Sequence, residues 1–333
     1  MYKQEKTVSN IGEFGLIEYI KKNNTVAKKQ HNVCLDIGDD CFVFNSPQKT
    51  KYVVTTDILI EGTHFKREYA SAKQIANKAV EVNVSDIASM GTAQPLYLFV
   101  SIGIPKNIKE QYIKELFKGI KQSCDKYNIH ISGGDTVCSK LLTISVTIIG
   151  ITKKEVVTRK GAKNGDLIYV TNSFGDSSAG LDILLNKKKN LTKHKKNLIN
   201  KHLVPQARLN LANMICEKLN ITSMTDSSDG LNKSVELLTT ENKKGAEILL
   251  EQIPLSKDLI KYTNNNFNKK YNYALFGGED FELVFTINPK DKKKLECLSK
   301  QVVCIGKVTN TKKVKYFNKG KEIIFKNNEY KHF

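Results

Sequence analysis

The chain has 333 residues, with 53 Lys and Arg against 34 Asp and Glu and a formal net charge of +19. Apolar residues make up 40% and charged residues 26%, which excludes a disordered chain and leaves a globular one long enough for two ordinary domains. The longest apolar stretches, such as LYLFV at 96–100, are strand-sized, so no membrane-spanning helix of about 20 apolar residues is expected.

The opening segment, MYKQEKTVSNIGEFG, has no apolar signal core, which argues against export. A strand is predicted at YVVTT (52–56). A helix follows from Ser71 to Met90, with Gly91 placed to cap its C-terminus. Another strand is LYLFVSIGI (96–104). The segment 107–127 sets Ile108, Tyr112, Ile113, Leu116 and Ile120 on one helical face, and LLTISVTIIG (141–150) is a strand again. TKKEVVTRKGAKNGD (152–166) is basic, Gly-containing and non-periodic, so a boundary is expected near 151–166. That gives an N-terminal domain over 1–150 and a C-terminal domain over 151–333. The second half offers strands DLIYVT (166–171), FELVFTI (281–287) and VVCIGKV (302–308), with helices after Gly175 and Gly230. This order predicts α/β architecture of the α+β type, two mixed domains rather than a doubly wound sheet.

The basic surplus gathers in runs such as KKKNLTKHKKN (187–197), which read as solvated faces. A nucleic-acid-binding protein would show steep salt-dependent binding, but no zinc-finger, RRM or heptad pattern is present. The seven Cys form no CxxC pair, as expected for a reducing cytoplasm.

Acidic residues are scarce yet concentrate in short loops: Gly38-Asp39-Asp40, Asp57, Ser85-Asp86, Gly133-Gly134-Asp135, Asp226-Ser227-Ser228-Asp229-Gly230 and Gly277-Gly278-Glu279-Asp280. Taken singly, each is ordinary turn chemistry. If several converge they need cations, because two like charges 4 Å apart repel by about 4 kcal/mol at an effective dielectric near 20. Oxygen ligands without a His/Cys cluster point to Mg²⁺ rather than Zn²⁺. Mg²⁺ on carboxylates points in turn to nucleotide-dependent phosphoryl transfer. No P-loop, GxGxxG or protein-kinase motif set occurs.

IGEFGLI (11–17), GDDC (38–41), TTDILIEGTHF (55–65), AVEVNVSDIASMG (79–91), SGGDT (132–136), GDSSAGL (175–181), DSSDGL (226–231), GGEDFEL (277–283) and the ending NEYKHF (328–333) together resemble the thiamine-monophosphate kinase family. That family lies within the superfamily typified by aminoimidazole ribonucleotide synthetase. The resemblance implies Mg²⁺-assisted transfer of the γ-phosphoryl group of ATP to thiamine monophosphate, with several metal ions bound. It also implies a homodimer paired through its N-terminal sheets, with neither nucleic acid nor membrane as partner. Another ATP-dependent enzyme of the same superfamily is the alternative.

By the same resemblance, metal would be held by Asp40, Thr55, Thr56, Asp57, Asp86, Asp135, Asp226 and Asp229. ATP would be met by Gly134, Asp135, Arg159 and Ser228, and the acceptor by His64, Glu279 and Tyr330. No nucleophilic Ser or Cys paired with His is suggested, so direct in-line transfer is expected. The turn at Gly175-Asp176-Ser177-Ser178 should open a helix whose N–H groups face an anion or a simple N-cap.

Overall fold

The computed structural model describes residues 32–46, 50–186 and 191–325, together with positions 12, 15, 17–20 and 22. Two mixed sheets organise it, each with its own helices. The first is built from β1 (Val33–Leu35), β2 (Phe42–Asn45), β3 (Lys51–Ile60), β4 (Gln94–Ile104), β5 (His130–Cys138) and β6 (Thr143–Thr152), in the order β1-β2-β3-β6-β4-β5. All its pairs are antiparallel except β4 with β5. The second contains β7 (Leu167–Thr171), β8 (Ile221–Asp226), β9 (Gly245–Leu249), β10 (Leu283–Ile287), β11 (Val302–Thr309), β12 (Val314–Asn318) and β13 (Lys321–Ile323). Their order is β13-β12-β9-β11-β7-β10-β8. No described helix is long and apolar enough to cross a membrane.

Period-two alternation decides what each strand faces. In β3, Val53, Thr55 and Leu59 are buried, while Thr56 and Ile58 stand exposed on the other face. In β10 every residue is buried. Leu283, Phe285 and Ile287 join a core that continues into the first domain, and Val284 joins a second core with Ile168, Val170 and Ile305.

Helix α1 (Ala72–Ser89) lies at the centre. Ser71 accepts from the Gln74 amide N–H and Gln74 answers on the Ser71 N–H, a capping box. The helix stops at Met90, with Gly91 at φ 87° beyond it. Periodicity allowed its polar face to be solvated. Instead Lys78, Glu81, Asn83 and Ser85 are all buried, because the second domain packs on that face. Glu81 takes bonds from Lys126, the Tyr127 hydroxyl and the Ala207 N–H at 2.6 to 2.7 Å. The remaining helices are α2 (Glu110–Lys126), α3 (Asp176–Leu185), α4 (Lys193–Leu203), α5 (Leu209–Lys218), α6 (Leu231–Thr240), α7 (Lys257–Tyr262), α8 (Phe267–Phe276) and α9 (Lys292–Leu298).

One reading changes. The SGGDT segment forms an edge strand rather than a loop, and a Cβ on Gly134 would sit 1.8 Å from the Val100 carbonyl oxygen. Glycine here permits close backbone pairing at φ 152°, not a turn. Part of the Lys-rich run is α4, which buries Leu198, His202 and Leu203 while its lysines face outward.

Candidate active site

Four elements converge on one group of carboxylates. Asp40 comes from the turn before β2, Asp86 from the last turn of α1 and Asp226 from the end of β8. Each offers an oxygen within 4.8 Å of the others. Asp57 lies close enough for its charge to raise Asp86, and the Thr55 hydroxyl donates to the same Asp86. Ser85, one residue earlier on α1, donates to Asp226 at 2.7 Å. Thr225 donates to Asp40 at 3.1 Å, and the Arg159 guanidinium pairs with Asp40 as well. The Arg159 main-chain N–H donates to Asp39 at 3.0 Å, so the interdomain segment is tied to the GDDC turn.

Burial, and after it the charge of neighbouring carboxylates, raises the titration of Asp39, Asp57, Asp86 and Asp226. Burial first, then the Asp40 charge, raises Asp226 to about 8. Burial and Asp40 likewise bring Asp39 to about 6. Asp86 rises well above the carboxylate range through burial and the charges of Asp57 and Asp226. Burial opposes the Arg159 charge, but Asp40 and Asp39 more than offset it. The Oδ2 atom of Asp40 is buried with no hydrogen-bond donor. An all-oxygen set with raised carboxyls and an orphaned buried oxygen fits a hard divalent cation, which would replace the missing donors and relieve the repulsion.

The structure separates some of the expected residues from this group. The Thr56 hydroxyl lies on the opposite face of β3, bonded to Thr147 at 2.9 Å and to the Val146 carbonyl at 3.2 Å. Strand alternation requires this, since Thr55 and Asp57 share the other face. Asp135 stands level with Ser101, Ser145 and, through them, Ile58. Three strand spacings put its backbone about 14 Å from β3. Asp229 and Ser228 are exposed in the turn beyond Asp226, outside the carboxylate group.

A second cluster adjoins the first. Glu279 accepts from the Lys78 ammonium at 2.6 Å, and His202 Nδ1 lies 3.2 Å from its other oxygen. The same Lys78 donates to the His64 carbonyl at 2.9 Å, while the His64 ring accepts from the Ile60 N–H at 3.0 Å. Burial pushes the Glu279 carboxyl up, but Lys78 and His202 outweigh it and hold it below its ordinary value. Burial lowers His202 to about 4, so its ring is neutral at pH 7. Glu279 has φ 66°, and the Glu279 and Phe281 N–H groups donate to the Ser228 and Ser227 carbonyls at 2.6 and 3.0 Å. The GGED and DSSDG loops are therefore tied together through their main chains.

The anion facing the α3 N-terminus is the chain's own Asp280, which accepts from Gly175 and Ser177 N–H at 2.6 and 3.1 Å. Tyr330, the IGEF segment apart from Gly12, the NEYKHF ending and Lys187 to Lys189 lie outside the described residues. Sequence reasoning missed Lys78 and His202 entirely. It named Asp39 and Ser85 in their motifs without giving either a role, although direct adjacency to a site Asp was an available signal.

The model of the AIR synthase related protein N-terminal domain matches residues 38–152, and that of the C-terminal domain matches 163–318. The chain thus belongs to the AIR synthase related proteins. It is 37% identical over 330 residues to the thiamine-monophosphate kinase of Buchnera aphidicola subsp. Schizaphis graminum, covering 96% of this chain and 98% of the relative. It is 36% identical over 285 residues to that of Aquifex aeolicus, covering 86% and 88%. The solved structure of AaThiL complexed with AMPPCP and TMP superposes with a TM-score of 0.86 at 33% identity, covering all of both chains. Within the wider group, the chain is a member of the thiamine-monophosphate kinase family.

Proposed function

We propose that this protein transfers the γ-phosphoryl group of ATP to thiamine monophosphate, giving thiamine diphosphate and ADP. The observation that carries this reading is the convergence of Asp40, Asp57, Asp86 and Asp226 between two domains, in a chain alike from end to end to one complexed with AMPPCP and TMP. AMPPCP is an ATP analogue, and named relatives of this chain are thiamine-monophosphate kinases. The bond broken joins the β–γ bridging oxygen to the γ-phosphorus. The bond formed joins that phosphorus to a phosphate oxygen of the acceptor, and the electron pair leaves with ADP. A phosphate monoester is already anionic at pH 7, so no strong general base is demanded.

Mg²⁺ is the cation proposed, held by Asp40, Asp57, Asp86 and Asp226 with Thr55 beside them; Asp229 stays a candidate at the mouth. Bound there, it would neutralise charge on the transferring phosphoryl group. Arg159 is proposed for the polyphosphate because its fork already lies among these carboxylates. Ser228 and the Gly134-Asp135 pair remain proposed for the nucleotide side. His64, Glu279 and Tyr330 are proposed for the acceptor, where an anionic Glu279 suits an aminopyrimidine or a thiazolium. The expected domain roles, 1–150 for ATP and Mg²⁺ and 151–333 completing the site, are kept in this proposal.

A homodimer through the open face of the first sheet is also proposed, and so is a cytoplasmic location. The first is supported by exposed Phe42, Ile58, Tyr97 and Phe99 on that face, and the second by seven free cysteines. Incubation with ATP, Mg²⁺ and thiamine monophosphate, followed by chromatography, should show thiamine diphosphate and an equal amount of ADP. ADP without thiamine diphosphate would assign the site to another acceptor.

A further inference from the structure

Lys78 has an environment that ordinary helix surface chemistry does not provide. It lies on α1, two turns before Asp86, with its side chain only 4% exposed. Its ammonium reaches the Glu279 carboxylate at 2.6 Å and the His64 carbonyl at 2.9 Å. Those two partners come from different domains. His64 ends the turn after β3, and Glu279 sits in the GGED loop of the second domain, at a left-handed φ of 66°. That backbone conformation is uncommon for a non-glycine residue and persists only when its surroundings fix it. The loop's own N–H groups fix its main chain on Ser227 and Ser228. The side chain is fixed by Lys78 on one oxygen and His202 on the other, and His202 is itself within 3.1 Å of the Ser177 hydroxyl.

We propose that Lys78 is a positioning residue for the acceptor substrate: one buried ammonium holds Glu279 of the second domain against the His64 turn of the first, setting the spacing between two groups that face thiamine monophosphate. This rests on the functional reading above, in which His64 and Glu279 belong to the acceptor side.

Stability alone would not call for a lysine here. A buried ion pair is commonly replaceable by apolar groups with little loss, so its presence argues for geometry rather than for folding energy. A short charge-assisted contact also orders the long Glu279 side chain, which would otherwise sample several rotamers. The same lysine leaves Glu279 ionised, so it accepts hydrogen bonds rather than donating one. His202 supports the arrangement as a neutral donor and brings no second positive charge. The metal–nucleotide carboxylates have their own partners, Arg159, Ser85, Thr225 and Thr55, so Lys78 bears on one substrate only.

The test compares wild type, Lys78→Met, Lys78→Arg, Glu279→Gln and the Lys78→Met/Glu279→Gln double variant. Apparent KM is measured separately for ATP and for thiamine monophosphate, beside circular dichroism. Lys78→Met should raise the thiamine monophosphate KM by about tenfold or more, the scale of one hydrogen bond to a charged group. The ATP KM should stay within about twofold. Lys78→Arg should recover part of the loss, since it keeps the charge in a different shape. The double variant should be no worse than the worse single one, because both remove the same contact. Equal loss toward both substrates, unchanged kinetics in a folded Lys78→Met, or additive effects would each overturn the proposal. If Lys78→Met does not fold, Lys78→Arg and Glu279→Gln decide it by the same split. A wild type that turns over ATP but not thiamine monophosphate would overturn the functional reading and this proposal together.

Discussion

Asp226 shows what the site asks of a single residue. It is 5% exposed at the end of β8 and faces Asp40 and Asp86, whose charge the Ser85 hydroxyl and the more distant Arg159 offset in part. Its folded pKa of about 8 lies far above the ordinary 3.8. Between those values the native state binds the extra proton, so stability falls as pH rises through that window. In metal-free buffer the wild type should therefore melt lower at pH 8 than at pH 5. Asp226→Asn should flatten that dependence and melt higher than wild type at pH 8. Added Mg²⁺ should raise the wild-type midpoint more at pH 8 than at pH 5, and hardly move the variant. Turnover of Asp226→Asn should drop about 10²- to 10³-fold, the range for removing one preorganised electrostatic contact. Calorimetry with and without EDTA, beside a turnover assay, checks all four points; a pH-independent Mg²⁺ effect would place the cation elsewhere. The Asp residues were legible because acid is rare in this chain and recurs beside Gly and Ser. Lys78 and His202 were not, since one Lys on a helix and one His in a basic run carry no pattern until the second domain closes over them. The Thr56 hydroxyl turns to the other face of β3 from Thr55 and Asp57, as period-two alternation along TTD requires.

At the scale of elements, the long strands and the two long helices of the first half were readable from periodicity, and their ends shift by only a few residues. Short strands such as Val33–Leu35 and Lys321–Ile323 were not, because three residues show no alternation. β5 was missed for a different reason: its consecutive glycines imitate a turn while serving close parallel pairing to β4. Gly134→Ala would drive a Cβ into the Val100 carbonyl at a φ that L-residues rarely adopt. It should lower the melting midpoint by about 1 to 3 °C, as about 1 to 2 kcal/mol does in a chain of this size. An unchanged midpoint would mean that β5 is not paired as described. Helix α4 offers a second check. His202 is buried neutral with a pKa near 4, below its ordinary 6.5. The unfolded chain binds the proton more readily between those values, so this stabilisation is lost as pH falls through them. At pH 5 the loss is about 2 kcal/mol relative to pH 8. This slope opposes that of Asp226, so His202→Asn should shift the change in urea midpoint from pH 7 to pH 5 in the stabilising direction relative to wild type. A variant with the wild-type change would show that His202 is solvated or paired differently.

Among the described residues, one face of the first sheet is left open. Register places Phe42, Val54, Ile149 and Tyr97 in one row across β2, β3, β6 and β4. Thr56, Thr147 and Phe99 form the next row, then Ile58, Ser145 and Ser101. Phe42, Ile58, Tyr97 and Phe99 are 37 to 49% exposed, while the opposite face of the same strands packs on α1 and is closed. A contiguous apolar and aromatic face of this kind is uncommon on a monomer and marks an interaction surface. The homodimer proposed above would seat a second copy of the same sheet on this face, as a two-fold interface requires. The site supplies an independent reason. Asp135 lies about 14 Å by strand spacing from the strand that carries Asp57. Mg–oxygen bonds are about 2.1 Å, so the two carboxylates cannot share an ion within one protomer as it is folded. If Asp135 serves the metal, it does so toward a facing copy at the edge of this sheet. Ile58→Asp with Phe99→Asp should therefore give a folded monomer by light scattering and take activity down with the dimer. Asp135→Asn should stay dimeric yet lose turnover. Mixing the inactive dimers of Asp135→Asn and Asp57→Asn under exchange conditions should restore part of the activity, because half of the sites in a mixed dimer would be intact. Full activity in the Ile58→Asp/Phe99→Asp monomer would confine catalysis to one protomer and remove Asp135 from the metal site.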